Sequence, residues 1–354
     1  MMLAACAASL PAQVSATTPS TMAVHHVDVG QGGAAILEFS CGVVMVDAGG
    51  QGATDGPKLV SYLDALFTRR TDLKRTIATI FVTHNHKDHT VSLDNVVAAF
   101  TVKSIVETGL YGASGDPGDA AYRVIDKLPP AKRPPHVIVD ENDIQPKLGL
   151  TNDAIDPVDC QGTDPIITVL STHPHMNPGW PAADWRDKNN SSLVIRVDFG
   201  KASYLFTGDL EAPAIEHLLA LHAGSPLLDA DVYVVGHHGS ANGTTLPLLQ
   251  ALIKPKIAIL TSGPCDRMDG GNFNGFKFGH PRTDIVRMLI AAVARPRTPS
   301  KRVWVADGQE DFHQITMKKA IYATGWDGNI VVEATKAGAY AVSYDRPSAP
   351  ASCG

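Results

Sequence analysis

The chain's pattern predicts an α/β fold in which two sheets are covered by helices on their outer faces. Short β-rich runs alternate with segments of helical apolar spacing along nearly all of the 354 residues. Strands and helices do not follow strict βαβ alternation, which favours two sheets over one doubly wound sheet. Hydrophobic residues make up 44% and charged residues 19%, the balance of an ordinary globular core and not of a disordered or collagen-like chain. Lys+Arg 30 against Asp+Glu 36 leave a net charge of −6. That charge lacks the basic footprint of a general nucleic-acid coat, yet it leaves room for an enzyme that grips one phosphodiester.

The elements follow in order. Residues 23–29, 34–39 and 43–46 read as strands separated by Gly-containing turns. Leu59, Tyr62, Leu63, Leu66 and Phe67 give 58–67 helical spacing. A strand over 76–82 runs into a histidine-rich loop. Helices are expected at 94–100 and 119–127, and strands at 104–107 and 136–139. The second half repeats the style, with strands at 166–170, 192–198, 202–206, 232–235, 257–260 and 302–305. Helices are expected at 212–221, 246–252 and 283–293, and a hairpin of 330–333 with 340–344. Three long Gly/Pro-rich stretches, 111–119, 173–190 and 263–279, read as rims of an active site.

Residues 1–22 form a signal-like or disordered N-terminal segment, 23–345 one domain and 346–354 a tail. Leu3-Ala4-Ala5-Cys6 looks like a lipobox and Val14-Ser15-Ala16 like a signal-peptidase site, although no Lys or Arg precedes them. A start codon misplaced inside a longer signal would make the protein periplasmic or lipid-anchored; a plain tail would leave it cytoplasmic. Cys41, Cys160, Cys265 and Cys353 lack metal-ligand spacing, and their pairing is open among 3 arrangements. No stretch of 18 apolar residues reads as a transmembrane segment.

Chemistry concentrates in His84-Asn85-His86-Lys87-Asp88-His89, directly after a strand. Histidines at i and i+2 of an extended segment point to one side and offer two imidazoles to one metal. Asp88 and His89, past the turn, reach toward a second. Asp47 ends the run Val43-Val44-Met45-Val46, and Asp209 ends Tyr204-Leu205-Phe206-Thr207-Gly208. His25, His26, His136, His217, His222 and His313 lack such context and read as ordinary.

These motifs resemble the metallo-β-lactamase superfamily, whose HxHxDH segment corresponds to His84–His89. The resemblance implies an αββα sandwich of two mixed β-sheets. It places Asp47 behind the metal loop, orienting ligands, and Asp209 as the carboxylate bridging two metals. Within the superfamily the chain is similar to the hydrolase domain of ComEC-type DNA-uptake proteins and their stand-alone relatives. Val27-Asp28-Val29-Gly30-Gln31-Gly32, Asn190-Ser191-Ser192-Leu193-Val194-Ile195, Gly236-His237-His238-Gly239-Ser240, Gly279-His280-Pro281 and Ala323-Thr324-Gly325-Trp326-Asp327-Gly328 carry that likeness, over residues 23–344. Two departures stand out. His86 replaces the Asp usual in ComEC-type domains, which favours zinc over manganese. The third motif's histidine is not evident: Asn189 or Asn190 occupies the region, with His173 or His175 as substitutes from the adjacent loop.

The resemblance implies two divalent ions, zinc first and manganese second, on His84, His86, Asp88, His89, Asp209 and His280. Asp88, His237 and His238 then take catalytic roles, although His280 and the His237-His238 pair can exchange places. Gly239 and Ser240 are available to an oxyanion. The expected function is metal-dependent hydrolysis, by a two-metal-activated water, of a phosphodiester. The alternatives are hydrolysis of a small lactone, ester or amide, with Trp180 and Trp185 forming the pocket, and a non-catalytic metal-stabilised binding domain. Basic clusters at Arg69, Arg70, Lys74, Arg75 and at Arg295, Arg297, Lys301, Arg302 are candidates for a nucleic-acid rim. The sequence leaves the oligomeric state open.

Overall fold

Val43–Val46 shows how the period-two pattern divides its side chains between two layers. Val44 and Val46 join Leu37 and Phe81 in a cluster that also holds Val197, Tyr204 and Phe206 from a second sheet. Val43 and Met45 join Leu59, Leu63, Leu66 and Val96, the apolar stripes of two helices outside the first sheet. All are fully buried or nearly so. The computed structural model describes residues 17–252, 254–348 and 350–353. The lipobox-like and peptidase-like stretches at 3–6 and 14–16 lie outside them.

The first sheet has eight strands, in the order Tyr340–Tyr344, Ile330–Thr335, Thr21–His26, Ala35–Glu38, Val43–Val46, Thr79–Phe81, Ile105–Glu107 and His136–Ile138. Neighbours are antiparallel up to Val43–Val46 and parallel beyond it. The second sheet has six: Ile321–Ala323, Ile257–Leu260, Val232–Val234, Ala202–Phe206, Val194–Phe199 and Ile166–Ser171. Here the first four run parallel and the last two pair antiparallel. Helices Asp55–Arg69, Leu93–Ala99 and Ala120–Ile125 cover the first sheet. Ala212–Leu221, Leu246–Ala251 and Thr283–Ala292 bury Ile215, Leu218, Leu248, Ile285 and Leu289 in the larger cluster. This is the expected α/β architecture of two mixed sheets with outer helices. Among the described residues no helix is long and apolar enough to cross a membrane.

Three elements differ from expectation. The strand expected over 76–82 breaks at Ala78. Thr76–Ile77 pairs with Thr101–Val102 in a separate ribbon, while Thr79–Phe81 enters the large sheet. The strand expected over 302–305 extends to Pro296–Gly308 and pairs with Asp311–Lys319, a strand the apolar pattern does not reveal. The reason is physical: this two-stranded arm stands outside both sheets, and only Met317 of its second strand is buried. Thr324–Asp327 folds as one helical turn after Ile321–Ala323. Cys41 pairs with Cys160 and Cys265 with Cys353, which closes the pairing left open above.

Candidate metal centre

The parallel halves of the two sheets bring their carboxyl ends together, and the loops leaving those ends carry the chemistry. Asp47 follows Val46, His84 follows the strand ending at Phe81, Asp209 follows Phe206 and His238 follows Val234. Asp47 sits in the left-handed region at φ 61. There its Oδ1 accepts from the Thr83 N–H at 2.7 Å and its Oδ2 from the Thr83 hydroxyl at 3.0 Å. The amides of Gly33 and Gly50 both donate to the Asp88 carbonyl, at 2.9 and 3.2 Å, and that of Ala48 to the His89 carbonyl at 3.0 Å. A Cβ on Gly49 would lie 1.6 Å from the Asp88 carbonyl oxygen, so only glycine lets the two loops close on each other.

Asp88, His89, Asp209 and His238 each direct one ligand atom into a group whose members all lie within 4.8 Å of one another. Asp209 Oδ2 is 3.2 Å from both His89 Nε2 and His238 Nε2. Asp88 Oδ2 is 3.1 Å from His238 Nε2. His84 and His86 stand beside this group. His84 Nε2 is 3.0 Å from His86 Nδ1, and the His84 and His89 ring centres are 4.2 Å apart.

The hydrogen bonds behind the rings settle which nitrogen of each faces the cluster. His89 Nδ1 donates to Asp47 Oδ2 at 2.8 Å, and His238 Nδ1 to the Thr261 carbonyl at 3.0 Å. His84 Nδ1 faces the hydroxyls of Ser192 and Thr83 at 3.3 and 3.2 Å. Both hydroxyl protons are already committed, to the Asn189 carbonyl and to Asp47, so the ring nitrogen must be the donor. All three imidazoles therefore turn Nε2 toward the cluster. The same Ser192 oxygen accepts from the Asp209 amide at 3.0 Å. Ser192, Thr83 and Thr261 are functional residues that sequence reasoning missed, because single hydroxyls and a carbonyl carry no spacing signal.

The electrostatics fit a cation. Burial lowers the pKa of His84 well below the ordinary imidazole value, and His89 and His86 add to the effect. Burial also opposes charge on His89 and His238, but carboxylates outweigh it. Asp209 and Asp47 hold His89 well above its usual value, while Asp209 and Asp88 push His238 up to about 10. Burial would raise Asp88 and Asp209, yet the neighbouring His238 and His89 keep both lowered. The protein alone thus offsets two buried carboxylates with imidazolium protons held between donor atoms. Two carboxylates and converging imidazole nitrogens are the donor set of a divalent ion such as zinc.

The other candidates sort by place. His280, read from sequence as the ligand, is not in the four-residue group, whereas His238, read as catalytic, is. The His280 ring centre is 6.5 Å from that of His238, and its Nδ1 faces Gln31 Nε2 at 3.0 Å. Burial, then His238 and His237, lowers its pKa to about 3. His237 stands at φ 50 with its Nε2 4.0 Å from Asp209 Oδ2 and its side chain 20% exposed. The substitutes proposed for the missing histidine have other partners: the His173 ring lies tilted against Trp185, and His175 faces Asp140. Asn189 donates to Glu211, and the Asn190 side-chain oxygen accepts from the Glu211 amide.

All three long stretches meet the 84–90 loop. Gly118 accepts from Thr90 Oγ1 through its carbonyl, Lys188 donates to the Asn85 carbonyl at 2.9 Å, and Lys87 lies over the Phe273 ring. Half of the residues of the two basic clusters are engaged inside the fold. Arg69 and Arg70 are held by Glu38, and Arg297 and Lys301 by Asp327, all within the fold.

The metallo-beta-lactamase superfamily model matches residues 28–261, about two thirds of the chain. The chain is similar to ComE operon protein 3 of Bacillus subtilis, 35% identical over 108 residues that make up 30% of this chain and 12% of that protein. It is also similar to recombination protein 2 of Haemophilus influenzae, 41% identical over 95 residues, 27% of this chain and 10% of that one. The aligned stretches thus span about a tenth of these relatives' length. Among solved structures, the metallo-beta-lactamase fold protein YhfI from Bacillus subtilis aligns over 78% of this chain and 94% of its own at 14% identity and TM-score 0.43. The stretch matched by the family model contains Asp47, His84, His86, Asp88, His89, Asp209 and His238 and ends before His280. The chain belongs to the metallo-β-lactamase superfamily.

Proposed function

We propose that this protein is a metal-dependent hydrolase that cleaves a phosphodiester. The observation that carries the reading is Asp209 Oδ2 lying 3.2 Å from the Nε2 atoms of both His89 and His238, with Asp88 against His238. His84 and His86 with Asp209 would hold one ion; Asp88, His89 and His238 with the same Asp209 would hold the other. This assignment moves His238 into the ligand set and leaves His280 free. Divalent ions in such a set supply a water acidic enough to react at neutral pH and charge that polarises the group under attack. Four imidazoles favour zinc, and the carboxylates also suit manganese.

The remaining work falls to the chain. Hydrolysis forms a bond from water oxygen to phosphorus and breaks the bond to the leaving oxygen, which then takes a proton. His237, partly exposed beside Asp209, is positioned to deliver that proton. The phosphodiester assignment is supported by the likeness to ComE operon protein 3 and recombination protein 2. Two disulfides support an oxidising compartment for the protein. Turnover of bis(p-nitrophenyl) phosphate by the zinc- or manganese-loaded chain tests the reading. Turnover of a lactone without diester cleavage would transfer it to the small-ester alternative.

A further inference from the structure

His280 keeps company with the metal cluster without joining it, and its partner is more informative than its distance. Gln31, 1% exposed, lies between His280 and the loop at Gly263. Its side-chain oxygen accepts from the Gly263 N–H at 3.2 Å, and a backbone amide can only donate. That bond fixes the orientation of the side-chain amide, so its NH2 end is the one 3.0 Å from His280 Nδ1. Because an amide NH2 has no acceptor, His280 Nδ1 must accept and the ring proton must sit on Nε2. A Cβ on Gly263 would lie 2.7 Å from the backbone nitrogen of Gln31, so the close approach of the two loops that lets Gln31 reach the Gly263 N–H requires glycine there.

The opposite corner of the ring is open. Among the described residues His280 Nε2 has no hydrogen-bond partner, and it is not among the buried unpartnered atoms. The ring packs between Phe278 and His238, with its centre 6.0 Å from that of His237. This is the inverse of the arrangement at His84, His89 and His238, where Nδ1 donates to the protein behind the ring and Nε2 faces the cluster. At this one site three imidazoles thus turn Nε2 toward the cluster with Nδ1 held from behind, and His280 alone presents an Nε2–H.

We propose that His280 is a neutral N–H donor to an anionic phosphoryl oxygen of the substrate, and that Gln31 is the positioning residue that fixes its tautomer. This inference rests on the hydrolase reading for its substrate class, but not for its tautomer. A preset donor aimed at developing negative charge costs no reorganisation during reaction, and removing one lowers kcat by about 10²–10³.

The first measurement needs no activity. Long-range ¹⁵N–¹H spectra of the metal-free full chain are expected to show His280 protonated on Nε2 with an unprotonated Nδ1; a proton on Nδ1 would overturn the proposal. In the Gln31→Glu variant the carboxylate can only accept, so the proton should move to Nδ1. Adding inorganic phosphate to the zinc-loaded chain should shift the His280 Nε2–H resonance; an unmoved resonance would count against the donor role. Bis(p-nitrophenyl) phosphate turnover should fall about 10- to 100-fold in kcat in Gln31→Glu, with metal content and KM nearly unchanged. His280→Ala should keep its metals while His238→Ala loses one. An unchanged kcat in Gln31→Glu, or metal loss in His280→Ala, would contradict the assignment. A wild-type chain inert toward diesters whose His280 resonance still answers phosphate would sink the hydrolase reading and leave this one standing.

Discussion

Asp47 shows how much one side chain outside the cluster can decide. Its two oxygens take three hydrogen bonds, two from Thr83 and one from His89, so the His89 ring cannot turn. Asp47→Asn should therefore cost about 10- to 100-fold in metal affinity while the fold survives, read by metal competition and a thermal melt. The raised pKa values of His89 and His238 carry a second expectation. Both rings are protonated at pH 7 without metal, and ligation needs their lone pairs, so metal binding must release protons and tighten as pH rises. Titrating zinc into weakly buffered protein at pH 7 should release about one proton from each ring. Release of none would contradict the placement. The cluster was legible at this scale because His84, His86, Asp88 and His89 fall within six residues. That His238 and not His280 stands in the four-residue group was not, since chain order says nothing of which loop reaches inward.

Between elements the fold depends on loops pressed together and on buried charge. Gly49→Ala would set a methyl against the Asp88 carbonyl, a clash with backbone that no rotamer relieves. It should destabilise the chain by more than about 1–3 kcal/mol and detach the metal loop, checked by denaturant melts and metal content. Strand Thr21–His26 joins helix Asp55–Arg69 through His25, which faces Glu38 and Tyr62, and Arg69 donates to Glu38 twice. Burial lowers the pKa of His25, and that of His26 to about 3, where both ring nitrogens lack a protein partner. The unfolded chain therefore binds these protons first, below about pH 6.5, so stability must fall on acidification from that point. Glu38 adds to the loss in the lower acid range: its pKa is depressed by His25 and Arg69 against burial, and its stabilisation disappears as pH falls below the ordinary carboxylate value. Urea melts from pH 8 to 4 should show this decline, and His26→Phe, beside Phe206, should flatten it by up to about 1.4 kcal/mol per pH unit. A profile unchanged by that variant would contradict the account. In the sequence both histidines look ordinary, because burial of a histidine leaves no periodic mark.

At the scale of the whole molecule, the two-sheet architecture was legible from alternating apolar runs such as Val43–Val46, and the helices from spacing such as that of Leu59, Leu63 and Leu66. The arm of Pro296–Gly308 with Asp311–Lys319 was not, because only Val303, Val305 and Met317 of it enter the core and its second strand buries no alternating set. Its tip joins the His280 loop through the Glu310 amide on the Phe276 carbonyl and the Ala306 amide on that of Pro281. Nor could spacing choose between cysteine pairings that the tertiary fold decides. Cys41–Cys160 spans 119 residues, and closing a loop of that order is worth about 4–5 kcal/mol in the chain-entropy account. Paired replacement of both cysteines by serine should lower the melting temperature clearly; an unchanged melt would show that the bond constrains little.

The central claim is that Asp209 joins two divalent ions into a hydrolytic site for phosphodiesters. Its most direct test is the rate of bis(p-nitrophenyl) phosphate hydrolysis by the zinc- or manganese-loaded chain, measured beside Asp209→Ala with the metal content of both. Two ions per chain and turnover abolished by the substitution, together with metal loss, are the expected result. Diester cleavage that survives Asp209→Ala, or a fully loaded chain with no diester cleavage, would contradict the claim.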